Sequence, residues 1–309
     1  MNVLEQIYAK AKENPQKVAF PEASNEKMMQ AAYETGKEGY IIPVLVGEAE
    51  KLKELAEERG YDPSVFSFVD IHDETYTNDV IRRYVELPDT IFKEKAIGRR
   101  MQDPLYYAMA MQKVGDADVT FAGIDNTTGD VLLAGQMIIG MKPGISTISS
   151  IGLADIPGYE GSEGSLLAVG DSAVCTNPDA EQLASIAISA CDTVQELLGW
   201  EPRCAMVCYS TLGSGQGELI DKVTEALKIA NELRPELAID GEFQLDAAIV
   251  PAVAEKKVKR ESKVAGKANI LIWPDLNVVC DCSRGAPVSE IKGNVVISAV
   301  RAAESKKRV

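Results

Sequence analysis

IIPVLVG, Ile41 to Gly47, followed by AEKLKELAEERG, Ala49 to Gly60, is the stretch that decides the fold class. The first part is a short, nearly unbroken apolar run, as expected of a strand buried on both faces. The second part is amphipathic and reads as a helix. The same order recurs on either side. Upstream, Val18 to Phe20 is a short strand that runs into Pro21 and Glu22, and Lys27 to Lys37 is a helix. Downstream, Asn78 to Val114 is mostly helical, Asp116 to Gly123 (DADVTFAG) is expected as a strand, and Val131 to Ile139 as a helix. Repeated strand-then-helix units argue an α/β fold with a parallel sheet covered by helices.

The composition shifts at Lys142-Pro143-Gly144. Beyond it, ISTISSIGLADI alternates as a strand would, and AVGDSAVCTNPD reads as strand and turn. Residues 179–198 form an amphipathic helix with Asp179 close to its start. AMVCYST is expected as a strand that empties into the Gly/Ser loop Thr211 to Gly217, and a helix follows. IDGEFQLDAAI and ANILIWPDL are the last clear apolar segments before a turn and a closing helix with a basic end, which suits the helix dipole.

The 309 residues suffice for one large or two ordinary domains. Hydrophobic residues make up 46% and charged residues 26%, an ordinary globular balance. No apolar run is long enough for a bilayer, and the N-terminus does not read as a signal peptide, so a cytoplasmic location is expected. A net charge of −15 argues against nucleic acid and anionic membrane as partners. It also means that an anionic ligand must be met by local cations or backbone amides. Cys175, Cys191, Cys204, Cys208, Cys280 and Cys282 include no CxxC pair, and His72, expected at the surface, is the only histidine. That spacing disfavours zinc and suits reduced structural thiols.

Three segments carry candidate chemistry. YSTLGSGQGE, Tyr209 to Glu218, is a strand, a Gly/Ser loop and a helix start. Its amides can form an anion nest. No Lys follows its last glycine, so it is no P-loop, and an ordinary strand-to-helix turn is the bland alternative. In DNTTGD, Asp125 to Asp130, Thr127 and Thr128 can offer hydroxyls and amides to a phosphate oxygen, or simply cap a helix. Ser283, Arg284 and Gly285, with Glu290 further on, form the densest cluster. Arginine offers a bidentate fork to phosphate, serine a rotatable donor to a developing oxyanion, and a carboxylate can act as base. A thiol pKa of about 8.5 against a glutamate near 4.3 makes that proton transfer uphill unless burial raises the carboxylate. On residue physics alone, a helix N-terminus with Ser289 or Ser283 as cap is the simpler reading. The acids at 240, 242 and 246 of IDGEFQLDAAIVPAV are expected to orient neighbouring loops rather than to hold a cation.

Taken together, AFPEA (19–23), DPLYYAMAMQKVGDADVTFAG (103–123), NTTGDVL (126–132), GDSAV (170–174), YSTLGS (209–214), AIDGEFQLDAAIVP (238–251), VAGKANILIWPDLN (264–277) and CSRG (282–285) resemble the phosphate acetyltransferase and phosphate butyryltransferase family, closer to the acetyl branch. The resemblance implies a two-domain α/β fold with parallel or mixed sheets and flanking helices, like isocitrate and isopropylmalate dehydrogenases. The first domain is placed at 1–144 plus 276–309 and the second at 145–275, with the site in the cleft between them. It implies a homodimer, no permanently bound cofactor, and coenzyme A or acyl-CoA, phosphate and acyl phosphate as substrates. By the resemblance, Ser283 stabilises the tetrahedral state, Arg284 holds the phosphate, and Glu290 stands where the family has an aspartate that deprotonates the coenzyme A thiol. The thiolate then attacks the carbonyl directly, with no acyl-enzyme. Thr127, Thr128, Ser210, Thr211, Gly213, Ser214 and Lys27 are the expected substrate-binding residues.

The chain also departs from the family pattern. Leu133 and Pro88 stand where the family carries arginines. Each replacement removes a charge-assisted contact worth about 1.5–3 kcal/mol. Between Asn277 and Val278 the family has a further segment that is missing here. Lys27, Arg82, Arg83, Arg99 and Arg100 are the cations that can compensate. The rival reading is a homologue that binds acyl-CoA or a partner protein without turnover.

Overall fold

The computed structural model describes residues 3–276, together with Val296, Val300 and Ala303. They divide into two compact units, one built on residues up to Gly140 and one beginning at Met141. The first contains, in chain order, α1 (Val3–Glu13), β1 (Gln16–Phe20), α2 (Glu26–Lys37), β2 (Ile41–Gly47), α3 (Ala49–Glu58), β3 (Ser67–Asp70), α4 (Glu74–Glu86), α5 (Glu94–Arg100), α6 (Pro104–Val114), β4 (Val119–Thr120) and α7 (Thr128–Ile138). Its sheet has the order β3-β2-β1-β4, and every pairing is parallel.

The apolar run of β2 is explained by two cores, one on each face of this sheet. Ala19, Val44 and Val46 pack into a core with Tyr84, Ile97, Met101 and Tyr107. Val18, Phe20, Ile41 and Leu45 pack into the other, with Met28, Met29 and Leu52. Successive strand residues therefore serve opposite cores, as the two-residue period requires. Pro43 is tolerated because β3 begins to pair with β2 only at Val44. On α2, a Cβ at Gly36 would come within 2.7 Å of the Pro43 ring, so glycine lets this helix lie close on the strand.

The second unit contains β5 (Ile151–Asp155), β6 (Leu166–Gly170), α8 (Ala180–Leu198), β7 (Arg203–Val207), α9 (Glu218–Leu233), β8 (Ala238–Phe243), α10 (Leu245–Ile249), α11 (Pro251–Lys257) and β9 (Ile270–Ile272). Its strand order is β5-β6-β9-β7-β8, parallel except for the β5–β6 pair. Cys204, Met206, Ile270 and Ile272 face α8 and α9, whereas Ala205, Val207 and Leu271 pack with Phe243 and α10 residues. Asp179 caps α8 through a reciprocal box with Gln182, which fixes the helix start where the sequence placed it.

Three strand expectations need correction. In ISTISSIGLADI, 145–156, the strand is only Ile151–Asp155. The strand expected over residues 116–123 is only Val119–Thr120, because the chain beyond Phe121 is drawn away by the Glu22 carboxylate. The strand expected over 205–211 is Arg203–Val207, and residues 208–211 already belong to a loop organised by hydroxyl hydrogen bonds. No described helix is long and apolar enough to cross a membrane.

Candidate active site

In the first unit, β1 lies between β2 on one side and β4 on the other, so chain order reverses there. In open parallel sheets, ligand crevices form beyond the carboxyl ends of strands at such a switch point. Two loops occupy that place, residues 21–25 after β1 and residues 121–127 after β4.

Glu22 joins them. It is buried, and its Oε2 accepts the amides of Gly123 at 2.9 Å and Ile124 at 2.8 Å. Its Oε1 accepts the Asn126 amide at 2.8 Å and the Asn126 side-chain amide at 2.7 Å. Asn25 adds a bond from its side-chain amide to Asp125 at 2.8 Å, and its own oxygen caps α2 by accepting the Lys27 and Met28 amides. Lys27 is exposed in the first turn of that helix.

The loop ends in the exposed N-terminus of α7. Thr127 is its cap. The Thr127 hydroxyl donates to Asp130 at 2.6 Å and accepts the Asp130 amide at 3.2 Å. Of the two readings of NTTGD, capping therefore accounts for the Thr127 side chain. The amides of Thr128 and Gly129 have no partner among the described residues, and with the helix dipole they offer two donors to an anion. Leu133, on the same helix, is 50% exposed. At the opposite end, Lys113 donates to the Ile139 carbonyl at 2.8 Å and complements the dipole there.

In the second unit, the loops after β6, β7, β8 and β9 all leave the carboxyl edge of one parallel arrangement. Ser210 is fully buried. Its hydroxyl donates to Glu242 Oε1 at 2.8 Å and accepts the Gly215 amide at 3.0 Å. The Gly213 amide reaches the same Glu242 oxygen at 2.7 Å. Ser214 accepts the Thr211 amide at 3.0 Å, and Thr211 accepts the Gln244 amide at 2.9 Å. Leu212 holds a left-handed backbone, φ 48°, between them, a conformation that a branched side chain adopts only when its surroundings impose it. Thus Ser210, Thr211, Gly213 and Ser214 are brought together, and their hydrogen bonds build the loop itself.

The acids of IDGEFQLDAAI do what the sequence suggested. Asp240 is held by Arg260 and Ser262, Glu242 holds the Ser210 loop, and Asp246 is held by Lys257 at 2.8 Å. Asp171, just past β6, accepts from the Ser150 hydroxyl at 2.6 Å and from the amides of Ser150, Ala173 and Cys175. Burial pushes its pKa up, but these hydrogen bonds outweigh burial and hold it below the ordinary aspartate value. Lys222 of α9 bonds the Pro274 carbonyl at 2.9 Å and Asn177 at 3.1 Å, fixing the exit of β9. Sequence reasoning did not find Glu22, Asp171 or Lys222. The available signal was an acid directly after a strand, in FPEA and in VGDS.

Ser283, Arg284 and Glu290, together with Cys280 and Cys282, lie outside the described residues. Of the compensating cations, Arg82 pairs with Asp79 and Glu86, and Arg83 with Asp79 and Asp116. Arg100 lies over the Phe92 ring at 3.8 Å. Arg99 is exposed, and Pro88 is an exposed residue just past the end of α4. His72 is exposed, as expected.

Residues 2–280 match the family described as phosphate acetyl/butaryl transferase. The chain belongs to that family. Among relatives, the phosphate acetyltransferase of Clostridium acetobutylicum is 39% identical over 280 residues, covering 89% of this chain and 83% of that protein. The phosphate acetyltransferase of Acetivibrio thermocellus is 34% identical over 334 residues, covering 98% of each chain. That alignment is longer than the 309 residues present here, so the relative carries positions with no counterpart in this chain. A solved phosphotransacetylase from Streptococcus pyogenes superposes with a TM-score of 0.87 at 28% identity, covering 98% of both chains. The sheet orders above are therefore those of a family member along nearly its whole length.

Proposed function

We propose that this protein is a phosphate acetyltransferase, moving an acetyl group between coenzyme A and inorganic phosphate. The observation that carries the reading is the family match over residues 2–280, joined to relatives of that name at 39% and 34% identity. The rival reading, a homologue without turnover, is not favoured by these relatives. Leu133, Pro88 and the segment missing after Asn277 remain its specific support.

In the proposed reaction, acetyl-CoA and phosphate give acetyl phosphate and free coenzyme A. Read in the reverse direction, Glu290 takes the proton of the thiol, the thiolate attacks the acetyl carbonyl, and the C–O bond to phosphate breaks. Ser283 donates to the oxyanion and Arg284 neutralises the departing phosphate. Thr127 and Thr128 are assigned to anion binding, Thr127 as the cap that sets the helix start and Thr128 through its amide, beside that of Gly129. Ser210, Thr211, Gly213 and Ser214 form the scaffold of a second substrate loop, and Lys27 is a cation for a coenzyme A phosphate. A cytoplasmic homodimer on an isocitrate dehydrogenase-like fold, divided into 1–144 plus 276–309 and 145–275, with no resident cofactor, completes the proposal.

The test is a coupled assay of acyl phosphate formation from acetyl-, propionyl- and butyryl-CoA with phosphate. Turnover is expected, fastest with acetyl-CoA. No turnover with any of the three by folded protein overturns the reading.

A further inference from the structure

We propose that Glu22 is a positioning residue of the acyl-transfer site. It sets the phosphate-facing end of α7 without touching substrate. The inference rests on the assignment of Thr127 and Thr128 to anion binding made above.

In a chain of net charge −15, a buried carboxylate beside an anion site is unfavourable unless its charge is fully answered locally. Here it is answered by the amides of Gly123, Ile124 and Asn126 and by the Asn126 side chain. None of these donors belongs to the helix. Asn126 is the residue immediately before the Thr127 cap, so Glu22 fixes the chain up to the point where α7 begins and stops there. The Thr128 and Gly129 amides stay available among the described residues. The clamp spans about a hundred residues of sequence and joins the two loops at the switch point of the sheet. An apolar side chain at this position would leave the amides of Gly123, Ile124 and Asn126 without their acceptor. The carboxylate gives residues 123–126 a defined backbone direction. A preorganised amide pair loses little when the anion arrives, and misplacement by about 1 Å can cost about a hundredfold in rate.

Glu22→Gln tests this, because it preserves shape but turns one acceptor into a donor facing an amide. The expected result is a rise of about tenfold or more in the phosphate KM, with the acetyl-CoA KM moved far less. Asn126→Ala, which removes one bond and leaves the carboxylate, is expected to move the phosphate KM in the same direction by less. It keeps the question open to test should Glu22→Gln fail to fold. Asp116→Asn, which disturbs the distant Tyr76 and Arg83 network, serves as a stability control and should leave the phosphate KM unchanged. If Glu22→Gln and Asn126→Ala lower only the melting temperature, as Asp116→Asn does, Glu22 is structural and the inference fails. If the wild-type protein shows no turnover, the functional reading fails separately. Calorimetric titration of inorganic phosphate into wild-type and Glu22→Gln protein then decides the inference, with weaker binding by the variant expected and equal binding overturning it.

Discussion

The loop after β4 is held from outside, whereas the loop after β7 largely holds itself. In the first, one carboxylate from residue 22 takes the amides of three loop residues, and the threonines beyond it stay at the surface. In the second, Ser210, Thr211 and Ser214 bond to one another's backbone and to Glu242 and Gln244. Both loops are rich in hydroxyl groups, and from sequence both look like ligand cradles. The difference is where each hydroxyl's bonds already go. A buried serine with partners on both sides builds the loop, and an exposed helix terminus with orphan amides is what can receive an anion.

The largest expected effect that can break this contrast is at Asp171, which organises the loop after β6. Asp171→Ala leaves several inward-facing amides and the Ser150 hydroxyl without an acceptor, and should reduce stability by about 3 kcal/mol or more in urea unfolding. A loss below 1 kcal/mol, within the range of ordinary surface changes of about ±0.5 kcal/mol and little beyond it, would mean that these loops do not depend on their carboxylates.

Next is the exposed edge of the first unit. Leu133→Arg should barely alter stability, yet lower the phosphate KM by about one to two decades, the worth of a charge-assisted contact of about 1.5–3 kcal/mol. No change in KM would place α7 away from the anion. A smaller effect compares the two hydroxyl types directly. Ser210→Ala should cost about 1–3 kcal/mol of stability, since it strips Glu242 and the Gly215 amide of a buried partner. Thr127→Ala should cost about 1 kcal/mol, the loss of a helix cap. The reverse order in thermal or urea melts would undo the distinction between scaffold and surface.

The smallest effect is on the acid limb of stability. The Asp171 pKa is lower in the folded chain than in the unfolded one, because hydrogen bonds outweigh burial. Its stabilisation is therefore full above the unfolded aspartate value of about 3.9 and is lost as pH falls through the folded value. The stability gap between wild type and Asp171→Asn should accordingly narrow below about pH 4. A gap that stays constant there would contradict the assignment.

Much of this architecture was legible because it is local. The unbroken apolar run of β2 signalled burial on two faces, and Asp179 announced α8 with a capping residue. What failed to show was set by distant contacts. Nothing in DADVTFAG says that the strand stops at Thr120, because the group that bends it away is Glu22, far back in the chain. AMVCYST is apolar enough to read as strand throughout, but Ser210 is satisfied by Glu242 from another strand. The family motifs singled out these loops, yet not which of their atoms are already committed, since that depends on three-dimensional partners.

The most direct test of the central claim is phosphorus NMR of acetyl-CoA and inorganic phosphate incubated with the protein, read alongside thiol release. One acetyl phosphate formed for each coenzyme A thiol released is the predicted result. Thiol release without acetyl phosphate, or no release at all, would contradict it.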